Sequence, residues 1–300
     1  MRVSVVIALD EDGISERHLA PIAEQRPAGV DLEVVMVDGT QPERTRGEAL
    51  AAIRALDGRL DARFVEHSVQ GRAAAVNRGL AETTAPLVVL VGNDFVPQHG
   101  WLAAHLDLHR RRPEPHVAGI GPALFPAELR TSPFLRWLED SGRLFGVSFT
   151  RPDLPLLGLF FYGANTSLKR GFLERAGAFS EAFPGEAWDD YDVGERLFAA
   201  GMEVTYLPDA VCLHEHRITV VARREQMRRA GTAAAIMERV RALPAPWNEL
   251  VRVEPGRLRR SEWKRRLWAA LTRSARARAA YYRALTDRAF VDGYRRERRT

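Results

Sequence analysis

Three hundred residues with 46% hydrophobic content suffice to bury a core as one large domain or as one domain plus an appendage. Cys212 is the sole cysteine, which excludes an intramolecular disulfide and fits a cytosolic setting. The net charge of +5 conceals an asymmetry: residues 1–216 carry 21 Lys/Arg against 31 Asp/Glu, whereas residues 217–300 carry 23 against 8. A basic tail on an acidic body points to an anionic partner, a membrane surface ahead of nucleic acid. Pairing with the acidic body and a merely solvated arginine face are the simpler alternatives. No apolar run approaches the roughly 20 residues that cross a bilayer, and Met1-Arg2 leads directly into an apolar strand, too short a lead for a signal peptide. The expectation is a cytoplasmic chain, peripheral at the inner face of the cell membrane.

In chain order, Val3–Leu9 reads as a strand and residues 15–25 as a helix. Leu32–Val37 is the next strand, ending at Asp38-Gly39, and Ala49, Ile53 and Leu56 mark one face of a helix over 46–56. A short strand over 62–65, a helix over 73–82 introduced by Gly71, a buried strand Leu87–Val91 and a helix over 101–111 follow. His116–Gly121 is a further strand. Strands alternating with helices of this length predict a largely parallel sheet covered on both faces.

Carboxylates cluster at two places along this pattern. Asp94 follows the strand 87–91, beyond its carboxyl end, where open α/β sheets bind ligands. Asp189 and Asp190 precede Val193, Leu197 and Phe198, which recur at helical spacing, so both belong near a helix N-terminus. Two acidic clusters facing one crevice suggest divalent-metal or general-base chemistry on a phosphorylated substrate. Each has a plainer reading: Asp94 as the cap of the helix entered at 97–101, the Asp189-Asp190 pair as a response to the helix dipole. Arg196 is spaced to pair with Asp192, Asn165 is equally suited to a turn, and spacing alone does not choose between His214 and His216. A dinucleotide-binding reading lacks its G-x-G-x-x-G turn, a phosphate loop is missing, and no G-x-S-x-G elbow is present.

In order, Val3–Ile7, Val37-Asp38-Gly39-Thr40, Gly71-Arg72-Ala73-Ala74-Ala75-Val76-Asn77-Arg78-Gly79, Gly92-Asn93-Asp94-Phe95, Tyr162–Arg170, Asp189-Asp190-Tyr191-Asp192-Val193-Gly194-Glu195-Arg196-Leu197 and Leu207–His214 resemble a family 2 inverting glycosyltransferase. The resemblance spans residues 3 to about 216. It implies the α/β GT-A fold, with a Rossmann-like, mostly parallel sheet and flanking helices. Residues 1–216 would form the catalytic domain, its nucleotide-sugar half at about 1–112 and its acceptor half at about 113–216. Residues 217–300 would be a basic helical extension. It also implies Asp190 as general base and a strand over 207–214 ending in a metal-binding histidine. Asp94 and His214 would be ligands of Mg²⁺ or Mn²⁺, and Ala8, Asp10, Asp38, Asn77, Asn93, Asp94, Asn165, Asp189 and Arg196 nucleotide or substrate contacts. The implied partners are a nucleoside-diphosphate sugar and a hydroxyl acceptor: a glycan, a lipid-linked acceptor or a small molecule of cell-envelope or glycoconjugate biosynthesis.

Two departures stand out. Gly92 occupies the first acidic position of the family's D-x-D, and Val76 stands where an arginine is expected before Asn77. They motivate the alternative of a non-catalytic nucleotide-sugar-binding or scaffold protein. A sugar-phosphate nucleotidyltransferase is disfavoured because no Gly-rich basic loop follows Leu9. The Pro- and aromatic-rich stretch 125–159 reads as an acceptor wall, a mobile loop or a crossover covering the sheet edge. In the tail, Trp263, Leu267 and Leu271, then Tyr282, Leu285 and Phe290, recur among arginines as a basic amphipathic helix, suited to a membrane interface, to docking on the catalytic domain or to a homodimer.

Overall fold

The computed structural model describes residues 1–10, 13–38, 42–66, 71–145, 161–183 and 188–299. Gly39-Thr40 and most of the expected acceptor wall, residues 146–159, lie outside the described residues. The chain forms two compact units: Met1–Ala127, Ser141–Glu181 and Asp189–His216 in the first, Glu128–Asp140, Ala182–Trp188 and Arg217–Thr300 in the second.

In the first unit, β1 (Arg2–Leu9), β2 (Asp31–Asp38), β3 (Asp61–Val65) and β4 (Leu87–Gly92) alternate with α1 (Glu16–Glu24), α2 (Pro42–Ala55) and α3 (Arg72–Ala81). The central strands β1, β2 and β4 are almost continuous runs of Val, Ile, Leu and Met, buried through their interiors, as strands covered by helices on both faces must be. Val76 is buried in the same core, which explains an apolar residue on that face of α3. β5 (Phe95–Pro97), α4 (Trp101–Arg111), β6 (Val117–Ile120) and β7 (Ala123–Leu124) come next. After α5 (Pro133–Asp140), which belongs to the second unit, the first continues with β8 (Asn165–Lys169), α6 (Arg170–Arg175), α7 (Asp189–Ala199), β9 (Glu203–Tyr206) and β10 (Cys212–His214).

The main sheet runs β3-β2-β1-β4-β8-β6-β9, and β8 alone opposes its neighbours. The chain leaves β1 toward β2 and β3 on one side and returns to β4 on the other. The topological switch therefore falls between β1 and β4, and it is beyond the carboxyl ends at such a switch that open α/β sheets bind ligands. A second sheet, β5-β10-β7, pairs β10 antiparallel to β5 with His214 opposite Phe95. The strand expected over 207–214 is only its last three residues. Pro208 has no N–H to give to a ladder, and the chain turns there, with the Ala210 amide donating to the Leu207 carbonyl at 3.0 Å.

In the second unit, α8 (Val220–Val240), α9 (Trp247–Leu250), α10 (Pro255–Thr272) and α11 (Ala275–Glu297) follow α5. The backbones of α8 and α11 touch. A Cβ on Gly231 would lie 1.9 Å from the Phe290 carbonyl oxygen, and one on Gly293 would lie 1.9 Å from that of Arg228. Leu285, Phe290 and Tyr294 of α11 are buried, with the Trp247 ring 4.6 Å from Phe290 and the Phe134 ring of α5 5.0 Å from Tyr282. The apolar residues expected to share a basic amphipathic helix are thus divided. Leu285 and Phe290 belong to a core, whereas α10 buries no residue and leaves Trp263, Leu267 and Leu271 exposed.

Candidate active site

Asp94 lies in the two-residue turn between β4 and β5, and the helix after it is capped by Gly100, so Asp94 does not serve as its cap. The β5–β10 register brings His214 beside it across more than a hundred residues of sequence. The His214 Nε2 stands 2.7 Å from Asp94 Oδ2, His216 Nδ1 stands 3.8 Å from the same oxygen, and the Glu215 amide donates to the Asp94 carbonyl. Burial pushes the Asp94 carboxyl up, but the imidazoles of His214 and His216 outweigh it and hold the group below the usual carboxylate range. One oxygen and two nitrogens within 4.8 Å of one another form a donor set that could hold a divalent ion. The Nδ1 of His214, on the far side of the ring from Asp94, is buried and has no hydrogen-bond partner among the described residues. Phe95, Phe125 and Phe145 wall His214 with ring centroids 5.2–5.4 Å away.

The other carboxylates sit at the first turn of α7. Arg72, at the start of α3, reaches Asp189 Oδ2 at 2.6 Å with one guanidinium nitrogen and Asp190 Oδ1 at 3.0 Å with another. The Gly163 amide also donates to Asp190 Oδ1 at 3.0 Å. Asp189 is buried, whereas Asp190 keeps about a quarter of its side chain open. Desolvation raises the Asp190 carboxyl, Arg72 lowers it and Asp189 raises it again, with a net value of about 6. That is the range in which a carboxylate accepts a proton at neutral pH without binding it permanently. The two centres meet through aromatic side chains: Phe145 packs on His214 and on Tyr162, the neighbour of Gly163, both at 5.2 Å.

Of the remaining predicted residues, four lie at or just beyond the carboxyl ends of β1, β2 and β4. Ala8 and Asp38 lie at the carboxyl ends of β1 and β2, and Asn93 donates to Asp10 Oδ1 at 2.7 Å and to the Gly13 carbonyl at 2.8 Å, closing the β1–β4 gap. Three are not brought there. Asn77 bonds the Phe179 backbone in both directions and Glu181. Arg196 pairs with Asp192 at 3.0 Å and donates to the carbonyls of Ala176, Gly177 and Ala178. Asn165 is fully buried: its amide nitrogen donates to the Pro122 and Ala210 carbonyls, and its oxygen accepts from Trp101 and His105. These side chains secure loops and strand ends, and their hydrogen-bonding groups are occupied. The same network fixes the His105 tautomer, Nε2–H toward Asn165 and Nδ1 toward Ser167, and burial holds His105 down to about 4.

Gly92 has a steric explanation. A Cβ there would stand 2.8 Å from the Phe95 ring and 3.1 Å from Asp94 Oδ1, so the acidic side chain of a full D-x-D would force the Phe95 ring to shift. His216 Nδ1 is instead the additional nitrogen near Asp94, 3.8 Å from its Oδ2. Sequence reasoning missed the part of Arg72, visible only as a basic residue opening a helix after Gly71, and of His18. Burial lowers the His18 pKa against the pull of Glu215 and Asp94.

A family model described as "Glycosyltransferase like family 2" matches residues 2–233. The chain is 28% identical over 228 residues to Validoxylamine A glucosyltransferase of Streptomyces hygroscopicus subsp. limoneus, covering 68% of this chain and 49% of that protein. It is 29% identical over 149 residues to Pre-mycofactocin glycosyltransferase of Mycobacterium tuberculosis, covering 49% of this chain and 31% of that one. The chain therefore spans about half the length, or less, of the curated relatives it matches. Among solved structures it is similar to the mannosyltransferase PcManGT from Pyrobaculum calidifontis in complex with GDP-Man and Mn²⁺. That likeness has a TM-score of 0.62 at 20% identity, over 97% of this chain and 86% of that one. S. aureus TarS 1-349 in complex with UDP-GlcNAc gives 0.54 at 12% identity, over 99% and 92%. At these identities the structural likenesses establish the fold.

Proposed function

The chain belongs to glycosyltransferase-like family 2 and has the GT-A fold, and on that premise we propose that it transfers a single sugar from a nucleoside-diphosphate sugar to an acceptor hydroxyl with inversion. The observation that carries the reading is the pair of unlike carboxylate centres in the first unit. Asp94 is held anionic beside two imidazoles, and Asp190 is tuned to about 6 beside Arg72.

In this reading Asp94, His214 and His216 hold Mn²⁺ or Mg²⁺, and the two imidazoles favour Mn²⁺. When bound, the ion neutralises the negative charge gathering on the departing diphosphate. Ala8, Asp10, Asp38 and Asn93 cradle the nucleoside at the switch point. Asp190 accepts the acceptor's hydroxyl proton as the new oxygen–C1 bond forms and the C1–diphosphate bond breaks. Arg72 and the Gly163 amide fix one Asp190 oxygen, which leaves the other for that proton. A single displacement without an enzyme nucleophile inverts the anomeric centre. The Q-x-x-R-W of processive synthases is approximated by Gln226–Arg229, but Ala230 stands in place of the tryptophan, and one sugar per turnover is the reading adopted.

Calorimetric titration of UDP, dTDP and GDP with and without Mn²⁺, for wild type and Asp94→Ala, tests the donor site. Metal-dependent binding of one nucleotide, lost in the variant, is expected. No binding under any condition would remove the transferase reading. Binding without turnover of any corresponding sugar donor would favour the scaffold alternative that Gly92 first suggested.

A further inference from the structure

The outward face of α10 has no structural employment in the second unit. Trp263, Leu267 and Leu271 follow one another at i, i+4 and i+8, with Trp268 beside them, so they lie on one side of the helix. They are 64%, 46%, 75% and 40% exposed respectively. Among the described residues, these four make up half of the eight large apolar side chains left exposed. The other four are scattered over the chain as single residues, which is ordinary, whereas a contiguous apolar line is not. α10 also carries Arg257, Arg259, Arg260, Lys264, Arg265 and Arg266 against one acid, Glu262. That acid is turned toward α11, where it pairs with Arg288 at 2.8 Å. Arg260 meets Glu254 at the start of the helix at 3.6 Å, and the exposed face still presents tryptophan and leucine among an excess of cations.

We propose that this face of α10 seats on an anionic lipid bilayer, independently of the transferase reading. The 18-residue helix, about 27 Å long, lies in the plane of the interface. Trp263, Leu267, Trp268 and Leu271 enter the boundary between headgroups and acyl chains, while Arg260, Lys264 and Arg266 reach the lipid phosphates. Charge selects this occupant. A second copy would set the same six cations against its own, and a nucleic acid would satisfy the cations but offer no apolar medium for Leu267 and Leu271.

The test is flotation of the full chain with phosphatidylglycerol/phosphatidylcholine vesicles and with phosphatidylcholine alone. Wild type is expected to float with the anionic vesicles only, and its tryptophan emission to shift to the blue as they are added. Trp263→Ser/Leu267→Ser/Leu271→Ser should reduce partitioning at least about tenfold, and Arg260→Glu/Lys264→Glu/Arg266→Glu should abolish the preference for anionic lipid. Because α10 buries no residue, both variants should keep the wild-type melting temperature and metal-dependent nucleotide binding. Wild type that stays at the bottom of the gradient with no blue shift, or a triple-serine variant that floats as well as wild type, would overturn the proposal. So would a lipid-free dimer that the serine substitutions dissociate, or retention on RNA without partitioning into vesicles.

Discussion

Asp94 and Asp190 are carboxylates of the same unit, each with a basic side chain within 3.0 Å, yet burial decides the protonation of one and not of the other. Asp94 is approached by two imidazoles, whose attraction outweighs desolvation, and its pKa falls. Asp190 must share the single guanidinium of Arg72 with Asp189, which takes the shorter bond at 2.6 Å. The divided cation leaves desolvation in charge, and the pKa rises to about 6. The ratio of cations to carboxylates, rather than depth alone, sets the direction of each shift, down for Asp94 and up for Asp190.

Asp190→Asn separates the two centres most sharply. Turnover should fall by about 10³-fold while nucleotide affinity stays within about twofold, because the lost group acts on the acceptor. Weakened nucleotide binding of the size expected for Asp94→Ala would mean that the centres are one site doing one job. Next in size is Gly163→Ala, whose Cβ would stand 2.5 Å from an Arg72 nitrogen and 3.0 Å from Asp190 Oδ1. Displacing that pair should cut kcat by about 10²-fold without altering the Mn²⁺ dependence of nucleotide binding; an unchanged kcat would show that the Arg72–Asp190 geometry is incidental.

His216→Ala addresses the other centre. Mn²⁺-dependent nucleotide affinity should drop about tenfold, with the pH profile of turnover unmoved, whereas full affinity in the variant would leave Asp94 and His214 as the whole donor set. The gentlest test needs no substitution. Because the Asp190 pKa is raised, its basic form is lost at a higher pH than for an ordinary carboxylate. The rate kcat/KM should therefore fall about tenfold per pH unit below a midpoint near 6. The same sign governs stability: the folded state binds this proton more tightly than the unfolded chain, so charging Asp190 costs stability as pH rises from the ordinary 3.8 toward about 6. A rate profile flat down to pH 4.5 would put Asp190 outside the reacting centre.

Local sequence determined the parallel half of the sheet. Val, Ile, Leu and Met runs bounded by Gly and Asp specify strands buried on both faces, and 3.6-residue periodicity specifies the helices between them. The position of Asp94 beyond a strand end, and of Asp189 and Asp190 at a helix start, was legible for the same reason. Strand partnership was not, because the antiparallel insertion of β8 and the β5–β10 register depend on contacts between segments far apart in the chain. That register sets both His214 and His216 near Asp94, which spacing alone left undecided. Tertiary structure also decided that Asn77, Asn165 and Arg196 spend their hydrogen bonds on loops and strand ends, that Arg72 divides itself between two carboxylates, and that Leu285 and Phe290 turn inward while Trp263 and Leu267 do not. A polar or apolar side chain carries its chemistry in the sequence, but which partner satisfies it is fixed only when distant segments compete for it in the folded chain.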